Sequence, residues 1–440
     1  MQEPQPYFMP DYFSSFSCKM GDCRHACCVG WPITISMTNY FTLLGIDCSE
    51  SLRRRLDCAL HLTGRPSEFE YAQFSPRWDG DCPLRMEDGR CGIQAELGEE
   101  PLPDVCRLYP RGIRMKEGGG YEISCANSCE ATLELFLHRT EKLTFREAPL
   151  SIVLPPLAPP TERFATEGRG LALRMRYIEV MQDRRYMPVD RLTRLYLLLE
   201  ATEASYGNAA GLDAILHDSA AHLTFGDAKM NYDISLEHLT FGDAKMDYDI
   251  SLEHLTFGDA KMDHDISLAH LTFGDAKTDH GISLEHLTFG IGIAEEIVTL
   301  LDSRSESIRD YGERALRNLG KAEDAVANYH RLKAKFESDY PNWAIFFEHL
   351  LVNHMFFVQF PFQDRPYNLK EEFAALCTIY ALLRFLCVGL AEEIGEESAL
   401  VDLLAAAFRL IDHTDFDRTA IAMLKRIGCT PEGLRDLTAL

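Results

Sequence analysis

The sequence predicts a mainly α-helical protein whose N-terminal part is a small cysteine-rich, metal-binding domain with short strands. Three observations carry that prediction. Eleven of the 14 cysteines lie before residue 130. The stretch Pro155-Pro156-Leu157-Ala158-Pro159-Pro160 marks a linker. Beyond it apolar residues recur at helical spacing. The division expected is 1–150 as the cysteine-rich domain, 151–221 as linker and helices, 222–290 as an insertion of tandem repeats, and 291–440 as an α-helical domain.

The cysteines come in two sets. Cys18, Cys23, Cys27 and Cys28 fall within eleven residues; Cys82, Cys91, Cys106, Cys125 and Cys129 follow. A group of thiolates this dense suits zinc or an iron–sulfur cluster. Met1 to Pro10 lacks the basic and apolar regions of a secretory signal, so a cytoplasmic location is expected. In a reducing compartment such a density points to metal rather than disulfides. The two sets are expected to form halves of one site of about four to seven cysteines. Spacing alone does not separate zinc from a cluster. Cys48, Cys58, Cys377, Cys387 and Cys429 are expected to be core or bystander thiols.

Residues 1–17, rich in aromatics and prolines, read as an extended surface arm. Ile33-Thr34-Ile35 alternates as a short strand. Residues 37–62 read as helical, with Tyr40, Leu43, Leu44, Leu52 and Leu56 as core candidates. A turn at Glu87-Asp88-Gly89 folds Cys82 towards Cys91, and a helix from Gly92 stops at Gly98. Arg107 and Arg111 lie beside the thiols, either offsetting their charge or in ordinary ion pairs. Gly118-Gly119-Gly120 turns into a strand at 121–124, and Cys125 and Cys129 open a helix to His138.

After the linker, Leu171 to Glu203 is helical with a break at Pro188. Residues 222–285 are four near-copies of a 16-residue unit beginning at His222, His238, His254 and His270. Near-identity indicates recent duplication and an exposed insertion. Further helices are expected from Ile297, over Glu313 to Phe336, from Trp343, over Phe373 to Leu390 and over Leu400 to Ile411. In the Trp343 helix the apolar residues form one face. Asn353 and His354 sit among its aromatics, either as site residues or as hydrogen-bonded core groups. The apolar run 373–391 contains Arg384 and is flanked by glutamates, so it reads as a buried helix rather than a membrane span.

A net charge of −24 disfavours nucleic acid. It suits a basic, lysine-bearing partner. No phosphate-binding Gly-rich loop, nucleophile elbow or His-Glu-x-x-His is present. No residue stands out as a catalytic base.

Two stretches carry a family resemblance. One runs Phe16-Ser17-Cys18…Cys23…Cys27-Cys28-Val29-Gly30-Trp31-Pro32-Ile33-Thr34-Ile35. The other runs Cys82-Pro83-Leu84…Gly89-Arg90-Cys91-Gly92-Ile93-Gln94-Ala95-Glu96-Leu97-Gly98-Glu99…Leu102-Pro103-Asp104-Val105-Cys106-Arg107-Leu108-Tyr109-Pro110-Arg111. Both resemble the bacterial flagellin lysine-N-methylase family. The cysteine-rich part is also similar to zinc- or iron-chelating proteins with clustered cysteines. Asn353-His354…Phe360-Pro361-Phe362 resembles the helical tail of the methylases. The repeat array departs from the family.

The resemblance implies methyl transfer from S-adenosylmethionine to lysine ε-amino groups of flagellin, in the cytoplasm. It implies a metal centre, taken as an iron–sulfur cluster with zinc as the alternative. By matched position its ligands come from Cys18, Cys23, Cys27, Cys28, Cys82, Cys91 and Cys106, with Cys125 a further candidate. A non-catalytic metal-binding or redox module is the rival reading.

Overall fold

The first strand of the protein is the one the sequence reading placed on the surface. Gln5–Pro10 forms β1, which lies between β6 (Tyr121–Cys125) and β7 (Phe145–Leu150). It pairs parallel with β6, Tyr7 opposite Tyr121, and antiparallel with β7, Gln5 opposite Leu150 through Pro10 opposite Phe145. Tyr7, Met9, Tyr12 and Phe13 are buried. β5 (Arg111–Met115) completes the sheet as a hairpin with β6, order β5-β6-β1-β7. Gly118, Gly119 and Gly120 all have positive φ, the left-handed conformation that glycine adopts without a Cβ clash, and turn the hairpin.

The computed structural model describes residues 4–20, 22–24, 27–28, 33–77, 80–154, 157, 164–217, 291–292, 294–298, 306–320, 322–363 and 367–428. The repeat array, most of the proline linker, Trp31-Pro32 and Cys429 lie outside them.

A second sheet, order β2-β4-β3, joins Ile33–Ile35 (β2), Leu60–Leu62 (β3) and Ala72–Phe74 (β4). Between β2 and β3 run α1 (Met37–Gly45) and α2 (Glu50–Ala59), each started by a serine hydroxyl that accepts a backbone N–H of its first turn. Leu43, Leu52 and Leu56 are fully buried here; Leu44 faces out. The expected helix ends at Ala59, because 60–62 joins the sheet. Leu84, Ile93 and Leu102 close this small core, and Cys28, Cys82, Cys91 and Cys106 lie in it or against it.

The helical part begins with Gly170–Met181 and Pro188–Ala204, split at Pro188 as expected, with the proline in the first turn where it loses no helical bond. The long helix expected over 313–336 is two, Glu306–Leu319 and Ala322–Asp339. Gly320, at φ +81, separates them. Trp343–Phe357 differs from its predicted single apolar face: Phe346 through Phe356 are buried all round. Its polar side chains there are all paired inside. Leu369–Gly389 follows, capped by reciprocal Asn368 and Glu371 bonds. It is long and apolar enough to cross a membrane, and nearly all of it is packed inside the protein. Arg384 within it pairs with Glu337 at 2.6 Å and lies over the Trp343 ring, 3.9 Å from its centre. Glu397–His413 and Phe416–Arg426 complete the described helices.

Residues 1–216 and 282–440 form one compact unit. The cysteine-rich and helical parts lie within this one unit, the cysteine-rich part around its own small core. Glu122 of β6 holds Arg174 by two 2.8 Å bonds, both side chains buried. Gly112 of β5 leaves no room for a Cβ beneath the Phe357 ring.

His349, fully buried, bonds the Glu141 carbonyl at 2.8 Å through Nε2. Burial holds its pKa below the ordinary value of 6.5. The folded state thus favours neutral imidazole, and its contribution is present above about pH 6.5 and lost as pH falls below that. Urea titrations at several pH values check this: His349→Gln is expected to flatten the acid-side loss of stability relative to the parent protein.

Candidate functional site

The thiols expected to form one site fall into two neighbouring groups. The first contains Cys27, Cys28, Cys82, Cys91 and Cys106. The Sγ atoms of Cys27 and Cys28 are 3.9 Å apart. The Cys28 carbonyl accepts the Cys82 N–H at 2.7 Å, which draws the N-terminal stretch onto the second cysteine set. The turn at 87–89 works as expected. Gly89 has φ +84, Arg85 and Cys91 form a β-bridge, and Gly92 N–H donates to the Leu84 carbonyl at 2.8 Å. α3 (Gly92–Leu97) starts at Cys91 and stops at Gly98, φ +82. α4 (Asp104–Leu108) brings in Cys106.

The second group contains Cys18, Cys23, Cys125 and Cys129. Cys125 ends β6, and Cys129 caps α5 (Glu130–Leu137). Lys19 and Arg24 tie the loop down: Lys19 Nζ is 3.5 Å from buried Glu130, and Arg24 bonds Asp402 at 2.8 Å. The groups meet where Cys23 feels both Cys129 and Cys27.

The electrostatics show what these thiols lack. Cys28 lies against Cys27 and Cys82; those contacts drive its pKa up and lower theirs. Burial, then the charges of Cys27, Cys91 and Cys82, raises Cys106. Burial, then Glu130, pushes Cys23 up to about 12. Burial also raises Cys91, Cys125 and Cys129. Thiols packed together oppose one another's ionisation, and a cation offsets that opposition.

Nearby backbone N–H groups favour the thiolate: those of Leu84 and Arg85 at Cys82, of Ile93 and Gln94 at Cys91, and of Ala131 and Thr132 at Cys129. The donor set therefore fits a thiophilic metal or cluster. Among the described residues, no three Cys, His, Asp or Glu side chains are gathered tightly enough to hold an ion as they stand.

The other candidates have ordinary partners. Arg107 pairs with Asp104, and Arg111 lies over Phe16, 5.2 Å from the ring centre. Asn353 accepts from Tyr12 Oη at 2.6 Å and donates to the Cys125 carbonyl at 2.8 Å and to Asn127 at 2.7 Å. His354 meets Asp412 at 3.1 Å. Asn353 belongs to a buried polar network that holds the Cys125 carbonyl. Asn353→Ala is expected to cost about 1–3 kcal/mol for the stranded partners, read as a lowered urea midpoint. Cys48 is half-buried against the small core, Cys58 is exposed, and Cys377 and Cys387 are core thiols.

Sequence reasoning missed Arg77, Arg85 and Asp81. Asp81 accepts from Arg85 at 2.6 Å and from Arg77 at 3.2 Å. Their charges favour thiolate at Cys27 and Cys82. The signal was the basic residues flanking Cys82 at i−5 and i+3.

A thiol-lined, mainly helical protein of this kind has relatives. Residues 261–430 match the family described as the FliB lysine N-methylase C-terminal domain. Over 102 residues, 23% of this chain, it is 30% identical to the lysine-N-methylases of Salmonella typhimurium and of Salmonella choleraesuis, covering 25% of each. It is 29% identical, over 60% of that protein, to the flagellar biosynthetic protein FliU of Salmonella muenchen. The match spans about a quarter of the length of the two methylases. No solved structure matches the chain. Over these residues the chain is similar to the FliB lysine N-methylases, the family that the motifs resemble.

Proposed function

We propose that this chain transfers methyl groups from S-adenosylmethionine to lysine ε-amino groups of flagellin, in the cytoplasm, and carries a cysteine-ligated centre. The match of residues 261–430 to the FliB lysine N-methylase C-terminal domain is the observation that carries the reading. The relative named for flagellar biosynthesis supports flagellin as the substrate. The net charge of −24 suits a lysine-bearing partner.

Methyl transfer needs a neutral amine aligned with the sulfonium methyl and shielded from water. The cysteines named above would hold an iron–sulfur cluster or zinc. Such a centre, when bound, supplies either a structural clamp or a Lewis-acid or redox site. Nearby backbone N–H groups favour the thiolate form of Cys82, Cys91 and Cys129.

Two measurements test this. Flagellin co-expressed with the chain is expected to carry methylated lysines by peptide mass spectrometry, and flagellin expressed alone is not. Identical lysine spectra in the two samples contradict the assignment. Anaerobically purified protein is expected to contain iron and sulfide. Zinc without sulfide would assign a structural zinc site.

The thiol grouping by itself equally suits a metal-binding or redox module without catalysis. That reading predicts metal and no methyl transfer.

A further inference from the structure

The loop that carries Cys82 and Cys91 also lines a pocket whose arginines reach the thiols electrostatically. The pocket is open, of about 530 Å³, and is lined by Arg55, Arg77, Pro83, Arg85, Glu87 and Asp88. Its charges are not all spoken for. Asp81 holds Arg77 and Arg85. Asp88 is held by Arg90, at 2.9 and 2.7 Å. Arg55 and Glu87 make no hydrogen bond or ion pair among the described residues. Arg55 stands apart from its neighbours in α2. Arg53 donates to the Leu43 and Ile46 carbonyls at 3.0 and 2.6 Å, and Arg54 pairs with Glu50 at 2.6 Å.

The Arg55 guanidinium, half-buried, lies close over Gly92. A Cβ at Gly92 would lie 3.5 Å from its nitrogens and 3.2 Å from the Leu84 carbonyl. Among the described residues the pocket thus presents the Arg55 guanidinium, with no hydrogen bond or ion pair and only the charge of Glu96 acting at longer range, beside two further arginines and the Glu87 carboxylate.

A phosphate would satisfy the arginines and be repelled by Glu87. A ligand with a carboxylate and an ammonium on one carbon satisfies both. Guanidinium binds carboxylate through a planar fork, and carboxylate binds ammonium by charge-assisted bonds.

We propose that this pocket binds the α-amino-carboxylate head of a free amino acid or amino-acid-bearing small molecule, with Arg55 on the carboxylate and Glu87 on the ammonium. Resting on the methylase reading, the ligand is the methionine end of the methyl donor. The pocket is lined by the Cys82–Cys91 loop, which sets that end beside the thiol-bearing residues.

The test is calorimetric titration of the full-length, anaerobically purified protein. The probes are S-adenosylhomocysteine, which has the amino-acid end; methylthioadenosine, which lacks it; and inorganic phosphate. The variants are Arg55→Gln and the exposed turn variant Glu87→Gln, whose far-ultraviolet circular dichroism is expected to match the parent. Each variant is expected to weaken S-adenosylhomocysteine by roughly tenfold or more, the loss of a charged hydrogen bond. Methylthioadenosine is expected to bind the parent and the variants alike.

Unchanged S-adenosylhomocysteine affinity in both variants overturns the pocket assignment and leaves the methylase reading standing. Full competition by phosphate in the parent overturns it in favour of a plain anion site. Failure of the parent to bind S-adenosylhomocysteine at all counts against the methylase reading itself.

Discussion

Replacing Glu348 by alanine is expected to destabilise the protein by about 3–5 kcal/mol, because it strands buried positive charge. Glu348 is buried and accepts from Arg191 at 2.7 Å and from Arg184 at 2.9, 3.0 and 3.2 Å. Arg191 is itself nearly solvent-free; it also donates to the Met181 carbonyl at 3.1 Å and the Tyr186 carbonyl at 2.8 Å. These bonds join three segments: the end of helix 170–181, the start of helix 188–204 and the central helix 343–357. Removing the carboxylate leaves a guanidinium that water cannot reach.

Most of that cost belongs to the stranded charge and not to the pair. Glu348→Leu combined with Arg191→Met is therefore expected to recover much of the loss. Urea unfolding of the three proteins checks this. Equal stability of Glu348→Ala and the parent would show that the arginines find water or new partners.

The second large effect concerns metal. Cys27→Ser and Cys28→Ser are each expected to abolish or sharply reduce bound metal, whereas Cys58→Ser keeps it. Cys27 and Cys28 sit with Cys82, Cys91 and Cys106, and a serine hydroxyl is a poor substitute for a thiolate on a soft metal. Cys58 is exposed, with no cysteine partner. A structural metal contributes folding free energy on the order of 10 kcal/mol in small domains, so metal loss should also lower the thermal midpoint of the two site variants. Equal metal content and midpoints in all three proteins would remove Cys27 and Cys28 from the site.

Much of this architecture was legible where one local signal dominates. The turn at 87–89 and the glycine stop at Gly98 declared how Cys82 and Cys91 approach. Pro188 marked the break between two helices; the starts at Ser36 and Ser49, which split the stretch read as one helix, were not read. The other misreadings have a common physical cause: the partner lies far away in the chain.

Pro4, Pro6 and Pro10 made residues 1–17 resemble an arm, since a proline gives up its ladder N–H. β1 nevertheless sits between two strands, with Pro6 opposite Pro149. Nothing local announces β7, 135 residues further on. Helix 343–357 looked one-sided because Glu348, His349, Asn353 and His354 are polar. Their partners, Arg191, Glu141, Tyr12 and Asp412, come from other elements and make burial on every side affordable.

The site was partly legible for the same reason. Cysteine density marks a thiol site, but the sorting into two groups depends on how the loop 18–28 is pinned. Lys19 and Arg24 hold its first part near Glu130 and Asp402, and the Cys28 carbonyl holds its end to Cys82. Arg55, alone of three consecutive arginines in facing the pocket, could be distinguished only after α2 was oriented against α3.

The measurement that bears most directly on methyl transfer uses purified components. Flagellin and the anaerobically prepared protein are incubated with S-adenosylmethionine labelled in its methyl group. The account predicts label on flagellin lysines, dependent on the full-length chain and lost with Cys28→Ser. Absence of label with folded, metal-loaded protein and folded flagellin would contradict it and leave a thiol-rich metal-binding protein without this transferase activity.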